Sequence, residues 1–106
     1  MANQLNKTLE QNAENQKRYK EKVKAQIDKI DARIDEFRAK VDQAEADGKL
    51  KYQNMLEELT AKRDAAQQKF DELQNASESA WDDLQKGFES AWQELDQSFQ
   101  KAVNNF

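Results

Sequence analysis

The residues that could take part in catalysis are two pairs of adjacent acids, Asp82-Asp83 and Glu57-Glu58. Paired carboxylates act as acid and base only when both point at one substrate. Neighbouring residues on a helix point about 100° apart, so neither pair converges. The chain has no His and no Cys, and therefore lacks the usual general base, the thiolate nucleophile and the commonest metal ligands. We predict that the protein is not an enzyme and that it uses no cofactor and no metal.

A second group of residues could mediate binding. From Ser79 the sequence repeats in elevens, as SAWDDLQKGFE, SAWQELDQSFQ and KAVNNF. Eleven residues make three helical turns at about 3.67 residues per turn, so equivalent positions share one side of a helix. At about 100° per residue, the apolar residues from Ala80 to Phe106 fall within an arc of about 140°, which is broad for a core-facing stripe. The predicted interaction face consists of Trp81, Leu84, Phe88, Trp92, Leu95, Phe99 and Val103.

The charge around this face narrows the choice of partner. Residues 76–106 contain six acids and two bases, so the whole net charge of −4 lies there. Nucleic acids and anionic membranes both attract basic surfaces, and we predict no nucleic-acid partner. We expect a homo-oligomer, a dimer or tetramer, formed through the C-terminal helix. A zwitterionic membrane surface, an unknown protein and the core of a three-helix bundle are the alternative environments for the face.

The elements that must position this face are helices. The chain of 106 residues has no Pro and only two Gly, so few positions interrupt a helix. Two stretches, 23–44 and 52–73, carry apolar residues with alternating spacings of four and three, a pattern typical of a coiled-coil seam. We predict an all-α protein with one helical domain, residues 1–106. The first seam contains Val23, Ile27, Ile30, Ile34, Phe37, Val41 and Ala44.

The chain is predicted to reverse at Asp47-Gly48, because Gly and Asp are frequent at helix ends and turns. We therefore predict a helix over residues 3–46, a turn over 47–49 and a second helix over 50–104. A short turn makes the two helices antiparallel, and together they form a helical hairpin, a long coiled coil. Arg63 occupies a seam position, where a polar residue fixes the register. We expect its guanidinium to reach Asp31 or Asp35.

The second helix has one predicted bend or break, near residues 75–79. Asn75, Ser77 and Ser79 could each cap a helix, which favours a three-helix bundle as the alternative fold. However, Phe70 and Leu73 lie in the same arc as the C-terminal face at about 100° per residue. This unchanged phase favours one long second helix that overhangs the first and leaves the face uncovered. The residues of the first helix expected opposite the face are Leu5, Leu9, Ala13 and Tyr19.

Residues 29–99 resemble a group of short bacterial coiled-coil proteins, found in cyanobacteria and proteobacteria and labelled stress-response or apolipoprotein-like proteins. The matching segments are AEAD at 44–47, EEL at 57–59, AKRDAA at 61–66, AWDDL at 80–84 and ESAW at 89–92. The resemblance implies a bacterial helical protein with a role in stress responses. It supplies no activity that can be assigned to a residue.

These observations predict a non-catalytic structural or interaction protein, a self-associating coiled coil. The alternative function is an amphipathic-helix module that binds lipid surfaces, as the apolipoprotein-like resemblance suggests. The first residues, MANQLNKTLE, show no basic segment followed by an apolar one, and no apolar run exceeds two residues. We therefore expect a cytoplasmic protein without a signal peptide or a membrane span.

Overall fold

The protein consists of three helices in the computed structural model, which describes the backbone of residues 2–104 and the side chains of residues 13–104. α1 comprises Ala2–Gln43, α2 comprises Ala46–Gln74 and α3 comprises Glu78–Asn104. The described backbone contains no strand, so the all-α prediction is confirmed. A three-helix bundle, the alternative fold, fits this architecture. The side chains of Leu5, Leu9 and Phe106 lie outside the described residues.

The helices run up, down and up along a molecule of 68 × 20 × 19 Å. α2 is antiparallel to α1. Lys20, midway along α1, reaches the carbonyl of Gln74 at the end of α2, at 3.4 Å, and Asp31, later in α1, binds Arg63, which lies earlier in α2. α3 is antiparallel to α2. The Phe70 and Phe88 rings pack 5.9 Å apart, and Lys62, earlier in α2, donates to Ser98, later in α3. α1 and α3 are therefore parallel, and both flank α2.

The first reversal lies at residues 44–45, so the prediction of a turn at 47–49 is wrong. Glu45 is extended (φ −67°, ψ 156°) and immediately precedes α2. Its carbonyl accepts hydrogen bonds from the N–H groups of Gly48 at 3.1 Å and Lys49 at 3.0 Å, which makes Gly48 part of the first helical turn. Asp47 is favourable there because the N-terminus of a helix attracts negative charge. The Asp-Gly pair thus begins a helix rather than separating two.

The second reversal occupies residues 75–77, inside the range in which a bend or break was expected. Asn75 adopts φ −99° and ψ 8°. Its N–H donates to the Glu72 carbonyl at 3.2 Å, and the N–H of Ala76 donates to the Leu73 carbonyl at 3.1 Å. The Asn75 side chain also donates to the Asp71 carbonyl at 3.0 Å. This break ends the predicted helix 50–104 at Gln74, and α3 folds back instead of continuing beyond α1.

The core is one continuous cluster that contains apolar residues from all three helices. The seam of α1 is buried from Val23 to Val41, as its spacing predicts. Among the described residues, no polar or charged residue is fully buried. The remaining buried residues are Leu59, Ala66, Phe70 and Leu73 in α2 and Trp81, Phe88, Leu95, Phe99 and Ala102 in α3.

Arg63 lies at the edge of the α1–α2 seam and binds Asp31 with two hydrogen bonds, from Nε to Oδ1 at 2.6 Å and from Nη2 to Oδ2 at 2.9 Å. Hydrogen bonding to Asp31 raises the pKa of the Arg63 guanidinium above its usual value. The predicted contact with Asp31 is present. A bidentate pair has a defined geometry, so it aligns α1 with α2 at this level.

The helices differ in length, and α1 extends past the end of the bundle. α1 has 42 residues, whereas α2 has 29 and α3 has 27. Lys20 lies level with the last residue of α2, and a shallow groove places Asn15 and Gln16 beside Glu78, the first residue of α3. We call the backbone segment 2–14 the overhang, because it projects beyond both neighbouring helices.

Candidate interaction surface

The predicted interaction face lies mostly inside the bundle. Leu95 is 0% exposed, Phe88 is 2% exposed, and Trp81 and Phe99 are each 8% exposed. Leu84 and Trp92 are half-buried and pack against the core. Val103 is 46% exposed. The prediction of an uncovered face is therefore wrong for most of these residues.

The physical reason is the break at residues 75–77. A continuous second helix would have carried the face beyond the seam of α1, where few apolar residues oppose it. Once α3 folds back, its broad arc contacts α1 and α2 together, and two neighbours cover about 140° where one covers about 100°. The width of the arc was thus a sign of two neighbouring helices.

Trp81 anchors the beginning of α3 against α1. Its ring meets that of Tyr19 edge to face, with centroids 5.9 Å apart, an arrangement favoured by aromatic quadrupoles. The indole N–H donates to Gln85 Oε1 at 2.8 Å, and Lys20 Nζ lies 5.6 Å from the ring centroid. Both the polar edge and the face of the indole therefore have partners.

Tyr19 links this aromatic contact to the acidic side of α3. Its hydroxyl donates to Glu89 Oε1 at 3.2 Å, which also accepts from Gln85 Nε2 at 3.2 Å. Burial, followed by the charge and hydrogen bond of Glu89, raises the pKa of the Tyr19 phenol from 10.0 to about 12. The phenol consequently stays protonated and keeps donating at any pH near neutrality.

Phe88 and Phe99 fill the middle and the end of the α3 layer. Phe88 contacts Phe70 at a centroid distance of 5.9 Å and Trp92 at 6.0 Å. The Arg33 guanidinium lies 5.5 Å from the Phe99 centroid, within the range of a cation–π interaction. Rings therefore occupy the space between α3 and its two neighbours along most of the bundle.

The charges of α1 and α3 are complementary. α1 contains ten basic and eight acidic residues, whereas α3 contains two basic and six acidic residues. The two helices are parallel neighbours, and basic residues of α1 lie over rings of α3 in both cation–π contacts. Complementary charge favours this pairing over contact between two α3 helices, which would repel each other.

The acid pairs considered for catalysis are exposed. Asp82 and Asp83 face solvent on α3, and Glu57 and Glu58 face solvent on α2. Among the described residues, no group of three acids, His or Cys is arranged to hold a metal ion. In the same part of the chain, no helix combines the length and the apolar character that a bilayer crossing requires.

Three residues of this surface were missed as partners of the α3 face: Lys20, Arg33 and Glu89. A cation can lie over a ring only if the two helices are at a suitable distance. The spacing of residues along the sequence gives no information on that distance. Tyr19 had been placed opposite the face, and a signal for its burial exists, since it precedes Val23 by four residues and so extends the α1 seam.

Comparison of the chain with protein-family models, with curated proteins and with solved structures found no match. The resemblance of residues 29–99 to bacterial coiled-coil proteins therefore remains a prediction.

Proposed function

We propose that the protein is a non-catalytic interaction protein that assembles into homo-oligomers, with the C-terminal helix at the interface. The observation that carries this proposal is the overhang. Its backbone is helical over residues 2–14, yet no other helix of the described chain, residues 2–104, lies alongside it. Helices in proteins are stabilised mainly by packing of one face rather than by propensity, so a packing partner would stabilise this segment.

The overhang has the sequence of a weak but usable packing surface. Leu5, Leu9 and Ala13 recur every four residues, which is one face of a helix. The overhang ends one residue before Asn15, which shares a shallow groove with Glu78 and Trp81 at the start of α3. A second copy that packs on the overhang would therefore also meet the N-terminal turns of α3.

Sedimentation equilibrium over about 1–500 μM tests the proposal, a range that covers weak and moderate self-association. We expect a mass that rises with concentration. Leu5→Gln/Leu9→Gln should weaken association about tenfold or more, since each Leu that leaves an interface forfeits up to about 1.5–3 kcal/mol of apolar burial.

Leu50→Gln is the matched control for this experiment. Among the side chains of residues 13–104, Leu50 is the most exposed large apolar one, at 68%, and it lies at the opposite end of the bundle. It should leave association unchanged. A wild-type chain that remains monomeric across the whole range contradicts the proposal, and equal effects of both variants would place the interface elsewhere.

Binding to a zwitterionic lipid surface is the second candidate function. The observation in its favour is the division of α3 into an apolar arc and a charged face, the pattern of helices that lie in a membrane interface. The arc would reach lipid only when α3 separates from α1 and α2, which bury it in the bundle. Brominated phosphatidylcholine vesicles should then quench Trp81 and Trp92 fluorescence, because quenching requires contact with the acyl chains. Unquenched emission at excess lipid would contradict this candidate. A role in stress responses and a protein partner other than a second copy rest on the sequence alone.

A further inference from the structure

We propose that two copies of the chain exchange their α3 helices. In this dimer the Asn75–Ser77 junction straightens, α2 and α3 become one helix, and each α3 packs on α1 and α2 of the other copy. The inference rests on the proposed homo-oligomerisation and specifies its form.

The junction carries no residue that enforces a break. Residues 75–77 are Asn-Ala-Ser, and no Pro or Gly occurs between Gly48 and Gly87. No described residue has a positive φ, so the reversal does not require a residue with the conformational freedom of Gly. The bonds that hold the break are local: Asn75 Nδ2 to the Asp71 carbonyl at 3.0 Å and the Ser77–Ser79 hydroxyl pair at 3.1 Å.

When the Asn75–Ser77 junction straightens, the apolar face of α2 continues directly into that of α3. At about 100° per residue, the buried residues of α2 fall at about 20–80° from Ala80, inside the arc of the α3 face. Two helices that turn back on each other do not need apolar faces in the same phase, because each helix can bury a different side. A shared phase is needed only when α2 and α3 form one helix that buries a single apolar stripe along its full length.

Every contact of the closed bundle can be remade between copies. Exchange replaces the α3 of one chain by the identical α3 of another, so the Tyr19–Trp81, Phe70–Phe88 and Lys62–Ser98 contacts form again across the dimer. This is why domain exchange is a low-cost route to a dimer. The difference in free energy then lies in the junction and in newly formed contacts.

The overhang supplies new contacts in the exchanged dimer. α1 and α2 are antiparallel with Lys20 level with Gln74. When α2 continues straight into α3, residues 76–92 run alongside the overhang and give it a neighbour that the closed bundle lacks. The two copies bring four helices together at the junction, the cross-section of a four-helix bundle.

Cysteine cross-linking tests the exchange, because the chain has no native Cys. Lys69 on α2 and Gly87 on α3 face each other, and a Cβ at Gly87 would lie 4.0 Å from Lys69 Cδ. In Lys69→Cys/Gly87→Cys, a short bis-maleimide should link the monomer within one chain and the isolated dimer between chains. Lys20→Cys/Gln74→Cys is the control, since α1 and α2 of one chain stay together in both forms.

Two junction variants should shift the equilibrium in opposite directions. Glu78 is the first residue of α3, a position that accepts Pro in the closed bundle. In the straightened helix the same Pro is interior, so Glu78→Pro should weaken dimerisation about 100-fold or more. Asn75→Ala/Ser77→Ala removes the local bonds of the break and favours helix, so it should strengthen dimerisation.

The outcomes separate the exchange from the proposed function. Covalent dimers from the α2–α3 pair, together with opposite shifts in the two junction variants, support the exchange. A dimer that is linked only within chains and is unaffected by Glu78→Pro overturns the exchange and leaves self-association standing. A wild type and an Asn75→Ala/Ser77→Ala variant that both remain monomeric overturn both proposals.

Discussion

The α1–α2 layer and the α3 layer bury their residues in different ways. Between Val23 and Val41 the buried residues of α1 are aliphatic apart from Phe37, and α1 is aligned with α2 by the Arg63–Asp31 pair. The α3 layer consists largely of rings. The indole N–H of Trp81 is bonded to Gln85, and the hydroxyl of Tyr19, which packs on this layer from α1, is bonded to Glu89. Aliphatic seams let helices approach closely, whereas rings bridge a wider gap and need partners for their polar edges. The first layer therefore follows a simple spacing rule, and the second depends on particular neighbours.

Removal of a central ring should break the α3 layer and give the largest effect. Phe88 is 2% exposed and lies among Phe70, Trp92 and Tyr19. Phe88→Ala should lower the free energy of unfolding by about 3–5 kcal/mol, measured by urea unfolding with circular dichroism. Val103→Ala is the control on the same helix and should change stability by less than about 0.5 kcal/mol. Equal losses in the two variants would mean that α3 does not pack as described.

High pH should weaken the α3 layer through Tyr19. Its pKa is raised from 10.0 to about 12 in the folded protein, so the stabilisation is complete below pH 10.0 and is lost as the pH rises through about 12. Tyr19→Phe lacks this titration and should lose less stability between about pH 9 and pH 12. Urea midpoints across this range measure the difference. Parallel losses in wild type and variant would refute the assignment.

The polar contact of the α1–α2 seam should have a smaller effect. A double-mutant cycle of Arg63→Met and Asp31→Asn should give a coupling free energy of about 1 kcal/mol, because the pair is bidentate and half-buried. The Arg38–Asp35 pair is the matched control: its atoms are 3.3 Å apart and its side chains are 52% and 73% exposed. Its coupling should be about 0.3 kcal/mol. If the two cycles agree, Arg63 does not hold the register.

Alanine substitutions at the two glycines should raise the stability of the protein by different amounts. Gly87 lies within α3, where an added Cβ would find ordinary contact, so Gly87→Ala should raise stability by about 0.5–1 kcal/mol. At Gly48 the added Cβ would lie 3.1 Å from Tyr52 Cε2, and the ring must shift. Gly48→Ala should therefore gain less, as thermal unfolding of both variants would show. A larger gain at Gly48 would mean that the Tyr52 ring moves freely.

The spacing of apolar residues was sufficient to predict the helices and most of the buried seam. Residues from Val23 to Val41 are buried where the pattern places them, because burial of a stripe is a local property of one helix. The Arg63–Asp31 contact could also be predicted, since a long side chain at a seam position must reach outwards.

The second reversal could not be predicted from spacing, because the apolar phase is the same with or without a break at residues 75–77. The signals that mark the break are caps, and a cap contributes only about 1 kcal/mol. The packing of Phe88 and Leu95 on two other helices decides between the folds, and that packing is a property of the whole chain. For the same reason the sequence identified the residues of the C-terminal face but not their burial.

The eleven-residue repeat of α3 also determines which insertions and deletions the chain can tolerate. Trp81 and Trp92, Leu84 and Leu95, and Phe88 and Phe99 occupy equivalent positions in the two units. Adding or removing one unit turns the following residues by only about 20°, whereas a single inserted residue turns them by about 100° and exposes the core. Length variants that survive selection should therefore differ by elevens, with matching changes at the same level of α1 and α2.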